Sequence, residues 1–415
     1  MKSYPARLLL LTLMVVAAPI LRAATPADSA QNLQSFVSGN TKFSLDLYRQ
    51  LKGNGENIFF SPYGISEALG MTYVGARAET EAQMAKALCF SLDQGHLHRA
   101  FADLRRQLEV RKRTDSVELD IANMLWPQSG YSLKGDFLST CTREYGVEIR
   151  QLDYVRDIEG SRLSINSWVA DRTRNKILDL IPPNVLTSST RLVLTNAVYF
   201  KAAWKEPFDS RQTHTAPFIL ADSKASSSKF MNRQARFLYT QTPTAQILQI
   251  PYKNDGFSML ILLPKTADGL PKLEKLLTAN SIHNWRSRLQ TNDVNVFLPK
   301  FKLTSTFSLP AALKSLGMID AFGSSADFSG MTGGRILFIS EVIHKAFVDV
   351  SEAGTEAAAA TAVEMNAMAI RPDHSKPPVV QFRADHPFLF LICENSTGAV
   401  LFLGRLTDPS KLDQN

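Results

Sequence analysis

The chain of 415 residues carries 46 Lys and Arg against 39 Asp and Glu, which gives a formal net charge of +7. Hydrophobic residues make up 45% of the sequence and charged residues 20%, as in a globular protein with a sizeable core. This composition excludes a disordered or collagen-like chain. The basic excess is too small to predict nucleic-acid binding, and we expect no nucleic-acid partner.

The first 23 residues are typical of an export signal. Lys2 and Arg7 precede an apolar run over residues 8–21, and small residues follow it. The run is short for a membrane span and has no stop-transfer flank, so an uncleaved anchor is the less favoured alternative. We expect a signal peptide that is cleaved within residues 23–30, and a secreted, periplasmic or extracellular mature protein.

The sequence offers little catalytic chemistry. Its three cysteines, at positions 89, 141 and 393, are too far apart for a C-x-x-C metal or redox site. It contains no G-x-S-x-G elbow, H-E-x-x-H motif or P-loop, and its seven His residues are scattered. We therefore expect a protein that is not an enzyme and that uses neither a metal nor another cofactor.

The predicted elements change from helices to strands along the chain. Apolar residues at helical spacing predict helices at residues 32–51, 65–73, 98–110 and 163–181, the last of which ends before Pro182. Apolar runs, most of them nearly continuous, predict strands at residues 191–200, 245–252, 257–264, 387–393 and 399–403, and alternation predicts one at residues 293–298. Because neither a repeat nor a linker interrupts this order, we expect a single α+β domain.

Residues 354–378 have an unusual pattern. From 355 to 367 the odd-numbered positions hold only small or apolar side chains, whereas the even-numbered positions hold Glu356, Glu364 and the only amide, Asn366. This period of two fits a strand with one buried face. The many Ala residues, however, favour a helix over a strand, so a surface helix remains the alternative interpretation.

The stretch EAGTEAAAAT at residues 352–361 resembles the hinge of the serpins, the serine protease inhibitor superfamily. Other segments that are similar to serpin motifs follow in family order: residues 57–62, 195–204, 344–346, 382–390 and 401–405. The resemblance implies a serpin domain over residues 30–409. Such a domain has a large, mostly antiparallel central sheet, two further sheets, surrounding helices and an exposed reactive-centre loop, here residues 354–378.

The resemblance also implies a function. Inhibitory serpins are irreversible, suicide-type inhibitors of serine endopeptidases. The protease attacks the loop and forms an acyl-enzyme, and the cleaved loop then inserts into the central sheet and traps it. Two alternatives remain open: inhibition of papain-like cysteine proteases by the same loop, and a non-inhibitory binding or carrier role. A monomer is expected in each case.

The resemblance implies a hinge and a scissile bond in the loop. The hinge comprises Gly354, Thr355, Glu356, Ala357, Ala358, Ala359, Ala360 and Thr361. Counting from its glycine places the reactive P1–P1′ bond between Met368 and Ala369. An apolar P1 residue suits the S1 pockets of elastase-like, chymotrypsin-like or subtilisin-like proteases. Arg371 is a competing P1 residue that would suit trypsin-like proteases, but the following Pro372 disfavours cleavage there.

Two further groups of implied residues lie outside the loop. They are the shutter, formed by Ser61, Asn196 and His344, and the breach, formed by Trp204, Lys300 and Glu352. We expect Lys300 and Glu352 to form an ion pair. Gly64 stands where many serpins have Ser, a departure expected to loosen the shutter hydrogen bonds.

A basic cluster is a weaker candidate for a binding site. It comprises Arg105, Arg106, Arg111, Lys112 and Arg113. Some serpins bind polyanions in a comparable region. A solvated charged face is nevertheless favoured here, because Glu109 interrupts the cluster.

Overall fold

The computed structural model describes residues 26–53, 55–112, 117–355 and 378–411. Several predictions fall outside these residues. They are the signal peptide, the hinge after Thr355, the Met368–Ala369 bond, its competitor Arg371, and Arg113.

The helices of the described residues are concentrated in the first half of the chain. They are α1 (Pro26–Leu51), α2 (Pro62–Tyr73), α3 (Ala78–Ala87), α4 (Gln94–Lys112), α5 (Gly135–Thr140), α6 (Ile158–Arg172), α7 (Leu270–Leu276), α8 (Ala279–Ser287), α9 (Pro310–Ser315) and α10 (Ser329–Thr332). A π-helical turn at Cys141–Tyr145 follows α5. Among these helices none is both long and apolar enough to span a membrane.

Helices α1, α2 and α4 confirm the predictions for that part of the chain, whereas the prediction for residues 163–181 is wrong at its end. Helix α6 stops at Arg172, well before Pro182. The backbone turns at Arg174 and Asn175, both of which have positive φ. The amide of Asn166 then holds the returning chain by bonding both backbone groups of Ile181.

The strands of the described residues include all six that the sequence predicts. They are β1 (Ile58–Phe60), β2 (Val117–Pro127), β3 (Leu192–Ala203), β4 (His214–Ile219), β5 (Ala225–Gln241), β6 (Ala245–Pro251), β7 (Phe257–Pro264), β8 (Gln290–Pro299), β9 (Phe301–Ser308), β10 (Glu341–Ser351), β11 (Gly354–Thr355), β12 (Val380–Arg383), β13 (Phe388–Glu394) and β14 (Val400–Leu406). The sequence does not predict strands β2, β4, β5, β9, β10 and β12.

The strands form two hydrogen-bonded sheets. The central sheet has five strands in the order β2-β3-β11-β10-β9, and β3 also pairs directly with β10. It is mostly antiparallel, as expected, with the β3–β10 pair parallel. The second sheet has nine strands, because the long strand β5 pairs with β4, β6 and β8 and so joins the two further sheets that the sequence predicts.

Strand β3, inside the central sheet, is buried on both faces, which is why its sequence is a continuous apolar run. Even-numbered positions of β3 and β10, such as Leu194 and Val348, face the main core. Odd-numbered positions, such as Val193 and Ile343, belong to a smaller core that includes Ile165 and Val169 of α6. Helix α6 therefore covers one face of the central sheet.

Candidate functional site

The middle of the central sheet holds two parallel strands that pair directly along only part of their length. Strands β3 and β10 pair from Val193–Glu341 to Tyr199–Phe347. Beyond this stretch β11 lies between them and pairs antiparallel with both. Gly354 and Thr355, the first two residues of the predicted hinge, therefore already occupy the position that a new strand between β3 and β10 would take.

The conformation of β11 depends on its glycine. Gly354 has φ of +154°, and a Cβ at this position would lie 2.1 Å from the carbonyl oxygen of Ala202. Only glycine fits such a close approach of two backbones. The next residue, Thr355, is fully buried, and its hydroxyl lies 2.7 Å from the hydroxyl of Tyr252. A buried pair of hydroxyls thus holds the start of the hinge in the sheet.

The predicted breach residues meet at this end of the sheet. Lys300 Nζ lies 2.7 Å from Glu352 Oε2, so the predicted ion pair forms. Thr213 donates a further hydrogen bond to Glu352. Burial alone would raise the pKa of Glu352, but these partners outweigh it and leave the pKa below its usual value. The indole of Trp204 stacks on Tyr252 and donates to the carbonyl of Ser351.

The predicted shutter residues also form one hydrogen-bonded group beneath the sheet. The backbone N–H of Ser61 donates to His344 Nε2 at 3.1 Å. The proton of the imidazole is therefore on Nδ1, which lies 2.5 Å from Asn196 Oδ1. Burial lowers the pKa of His344 to about 3, so the ring is neutral. Because His344 lies on β10 and Asn196 on β3, this bond ties together the two parallel strands.

The network continues through two residues that the sequence did not single out. The amide of Asn196 donates to Asn123 of β2, whose own amide lies 2.7 Å from Glu67 Oε2. Tyr63 also donates to Glu67, at 3.0 Å. Burial raises the pKa of Glu67 to about 7 despite these hydrogen bonds. Asn123 was missed because β2 itself was not predicted, and no local signal marks Glu67.

Gly64 does not have the effect that the sequence suggested. A Cβ at this position would lie 2.6 Å from Asn196 Nδ2 and 2.9 Å from a methyl group of Val198. The missing side chain therefore makes room for the Asn196–Asn123 contact. Instead of an opening in the network, Gly64 permits its extension towards Glu67.

The described members of the basic cluster lie against different parts of the molecule. The guanidinium of Arg105 reaches the loop after the π-helical turn. Arg106 pairs within its own helix, and Arg111 Nε lies 3.7 Å from a carboxylate oxygen of β13. The side chain of Lys112 is outside the described residues. This geometry adds no support to the predicted polyanion site, which stays a prediction.

Comparisons with known proteins agree with this architecture. A family model described as "Serpin (serine protease inhibitor)" matches residues 38–409. The leukocyte elastase inhibitor of Sus scrofa is 41% identical over 388 residues, which cover 91% of this chain and all of that protein.

Two solved structures have the same fold. Serpin48 of the insect Tenebrio molitor has a TM-score of 0.79 at 31% identity, and the match covers 90% of this chain and 98% of that one. Human thyroxine-binding globulin in complex with thyroxine has a TM-score of 0.81 at 29% identity, with 91% and 99% covered. The chain therefore belongs to the serpin family, a family of inhibitors rather than catalysts, and it is not an enzyme.

Proposed function

We propose that the protein is an irreversible inhibitor of serine endopeptidases that traps the acyl-enzyme by inserting its cleaved loop between β3 and β10. The observation that carries this proposal is the position of β11. Gly354 and Thr355 already pair with both strands, while the remainder of the β3–β10 pair is closed. The similarity to leukocyte elastase inhibitor supports a serine protease as the target.

The register of β11 explains the alternating composition of the loop. Thr355 lies opposite Val350, so a continued strand would place Ala357 opposite Val348. Both valines face the main core. The odd-numbered, uncharged positions would therefore enter the core, and both glutamates would lie on the opposite face. Insertion in this register buries no unpaired charge in the main core.

The same register brings Thr361 between His344 and Asn196. Their hydrogen bond has to break when β3 and β10 part. The threonine hydroxyl can donate and accept, so it can replace the partner that each side chain loses. The shutter would thus close the sheet before cleavage and bind the inserted strand afterwards.

The predicted scissile bond suits this length of insertion. Continued pairing brings residue 365 opposite Leu192, the first residue of β3. Cleavage after Met368 would leave residues 366–368 to reach the acyl bond at the end of the sheet. The proposed targets are proteases with an apolar S1 pocket, of the elastase, chymotrypsin or subtilisin type.

The proposal is tested by incubating the mature protein with elastase, chymotrypsin, subtilisin and trypsin. We expect an SDS-stable complex near the summed mass and a released peptide that begins at Ala369. Met368→Asp should abolish complex formation with the proteases that prefer apolar residues. Arg371→Ala is the matched control and should leave complex formation with these proteases unchanged. Cleavage without a stable complex in all four reactions would contradict the trap.

The similarity to thyroxine-binding globulin, solved with thyroxine, favours a second candidate, a non-inhibitory carrier. The two candidates differ in the fate of the cleaved loop. An inhibitor that inserts its loop gains thermal stability on cleavage, whereas a carrier that cannot insert it does not. Inhibition of papain-like proteases is distinguished by adding papain to the same assay.

We also propose that the protein is exported after removal of its N-terminal signal, which N-terminal sequencing of the mature protein tests.

A further inference from the structure

A cavity of 560 Å³ lies beside the central sheet and is separate from the place where the hinge enters. Helices α2, α4 and α6 and strand β2 surround it. Its wall includes the apolar side chains of Leu108, Leu119 and Ile121. The exposed side chains of Arg150 and Arg172 mark its mouth. Its volume is in the range of sites that bind small organic molecules.

Two hydrogen-bond donors in the wall of this cavity lack acceptors. The indole Nε1 of Trp168 and the Nε of Arg105 are both buried, and neither has a hydrogen-bond partner among the described residues. Indole and guanidinium groups can only donate. A buried donor without an acceptor is costly to a fold, and native structures keep few of them. A hydrogen-bond acceptor that reaches both donors would remove this cost.

Four carboxylates line the cavity, those of Glu67, Glu109, Asp120 and Glu148, and neither donor has a hydrogen bond to any of them. Glu67 accepts from Tyr63 and Asn123, and Asp120 lies 3.0 Å from Arg174 Nε. An acceptor for the two donors has therefore to come from a molecule that enters the cavity.

We propose that this cavity binds a small amphipathic carboxylate. Its carboxylate oxygens accept from Trp168 and Arg105, and its apolar body packs against Leu119 and Ile121. A carboxylate fits better than a neutral carbonyl because the exposed, positively charged side chains of Arg150 and Arg172 stand at the mouth of the cavity. This site does not depend on the proposed inhibitory function.

The test is calorimetric titration of the intact mature protein with decanoate, with decanol as the neutral analogue. We expect one decanoate site and at least about tenfold weaker binding of decanol. Trp168→Phe keeps an aromatic ring but removes one donor, so decanoate affinity should fall by about tenfold. Arg106→Gln, on the same helix but paired to Asp103, is the matched control and should bind decanoate normally.

A second readout separates ligand binding from a structural role of the indole. Because Trp168→Phe removes an unpartnered donor, the melting temperature of the unliganded protein should stay the same or rise. A lower melting temperature would show that the indole N–H serves the fold. The proposal is overturned if decanoate shows no saturable binding up to about 10 mM, or if Trp168→Phe binds it as tightly as the parent protein. Equal binding of decanol would overturn the carboxylate assignment. Because the titration contains no protease, a failure to bind decanoate would not contradict the proposed inhibition of serine proteases.

Discussion

Replacement of Thr355 by arginine is the sharpest test of loop insertion. This residue is fully buried between β3 and β10, where its hydroxyl lies 2.7 Å from that of Tyr252. Its cross-strand neighbours are Ala202 and Val350, and neither can pair with a charge. In Thr355→Arg, β11 can leave the sheet without disturbing the closed β3–β10 pair. The variant should therefore fold but should not insert its loop.

The size of the effect follows from the burial of Thr355. Placing an unpaired charge in a protein interior costs several kcal/mol. Even about 3 kcal/mol on the barrier to insertion slows that step roughly a hundredfold. Because insertion competes with hydrolysis of the acyl-enzyme, this delay should let nearly every acyl-enzyme hydrolyse. The variant should then behave as a substrate.

The assay is a titration of elastase or chymotrypsin, whichever forms a complex with the parent protein. Thr355→Arg should give complete cleavage of the loop and no SDS-stable band. Glu356→Arg is the matched control, since the next position would face away from the main core in the continued register. That control should retain complex formation. If Thr355→Arg forms the complex with unchanged stoichiometry, the assignment of β11 as the start of insertion is wrong.

Three further predictions concern residues around the sheet. Because the folded pKa of Glu67 is raised to about 7, its stabilising contribution is complete below about pH 4.5 and is lost as the pH rises through 7. Urea denaturation should show that the free energy of unfolding of Glu67→Gln rises relative to that of the parent protein by up to about 3 kcal/mol between about pH 4.5 and 7. A stability difference that does not change with pH would contradict the raised pKa. Lys300→Met should lower stability by no more than about 1 kcal/mol, because its ion pair is partly exposed. Thermal unfolding should show this loss shrinking in high salt, and a salt-independent loss would argue against an ionic origin. Gly64→Ala should cost about 1–3 kcal/mol in urea denaturation, since its Cβ would press on Asn196. Gly95→Ala, whose Cβ would make only an ordinary contact of 3.4 Å with Asp93 Oδ1, should be neutral or stabilising, and equal losses in both variants would refute the clash.

Much of the fold and part of the site could be predicted from local sequence. Most of helix α2 follows from the apolar residues at helical spacing over residues 65–73, and the buried strand β7 follows from a continuous apolar run. The motifs shared with the family predict the Lys300–Glu352 pair and the hydrogen-bonded residues Asn196 and His344, and the structure contains both. These signals are local or are carried by short motifs.

Contacts between distant residues account for what the sequence did not show. Strand β2 contains Glu118 and Asp120, which interrupt a continuous apolar run, and it is stabilised by pairing along nearly the whole of β3. The predicted helix at residues 163–181 ended early because Asn166 bonds Ile181 across a turn. Such long-range hydrogen bonds outweigh the helical preference of the local sequence, and the spacing of apolar residues gives no indication of them.

The sequence by itself determined a single α+β domain and predicted where the hinge lies and which of its faces is uncharged. Only the tertiary structure decided that Gly354 and Thr355 lie inside the central sheet and that the hydrogen bonds of Asn196 extend to Glu67. The physical reason is that these features depend on partners far apart in the chain. Ser61 and His344, for example, are 283 positions apart, and their hydrogen bond exists only once the strands are assembled.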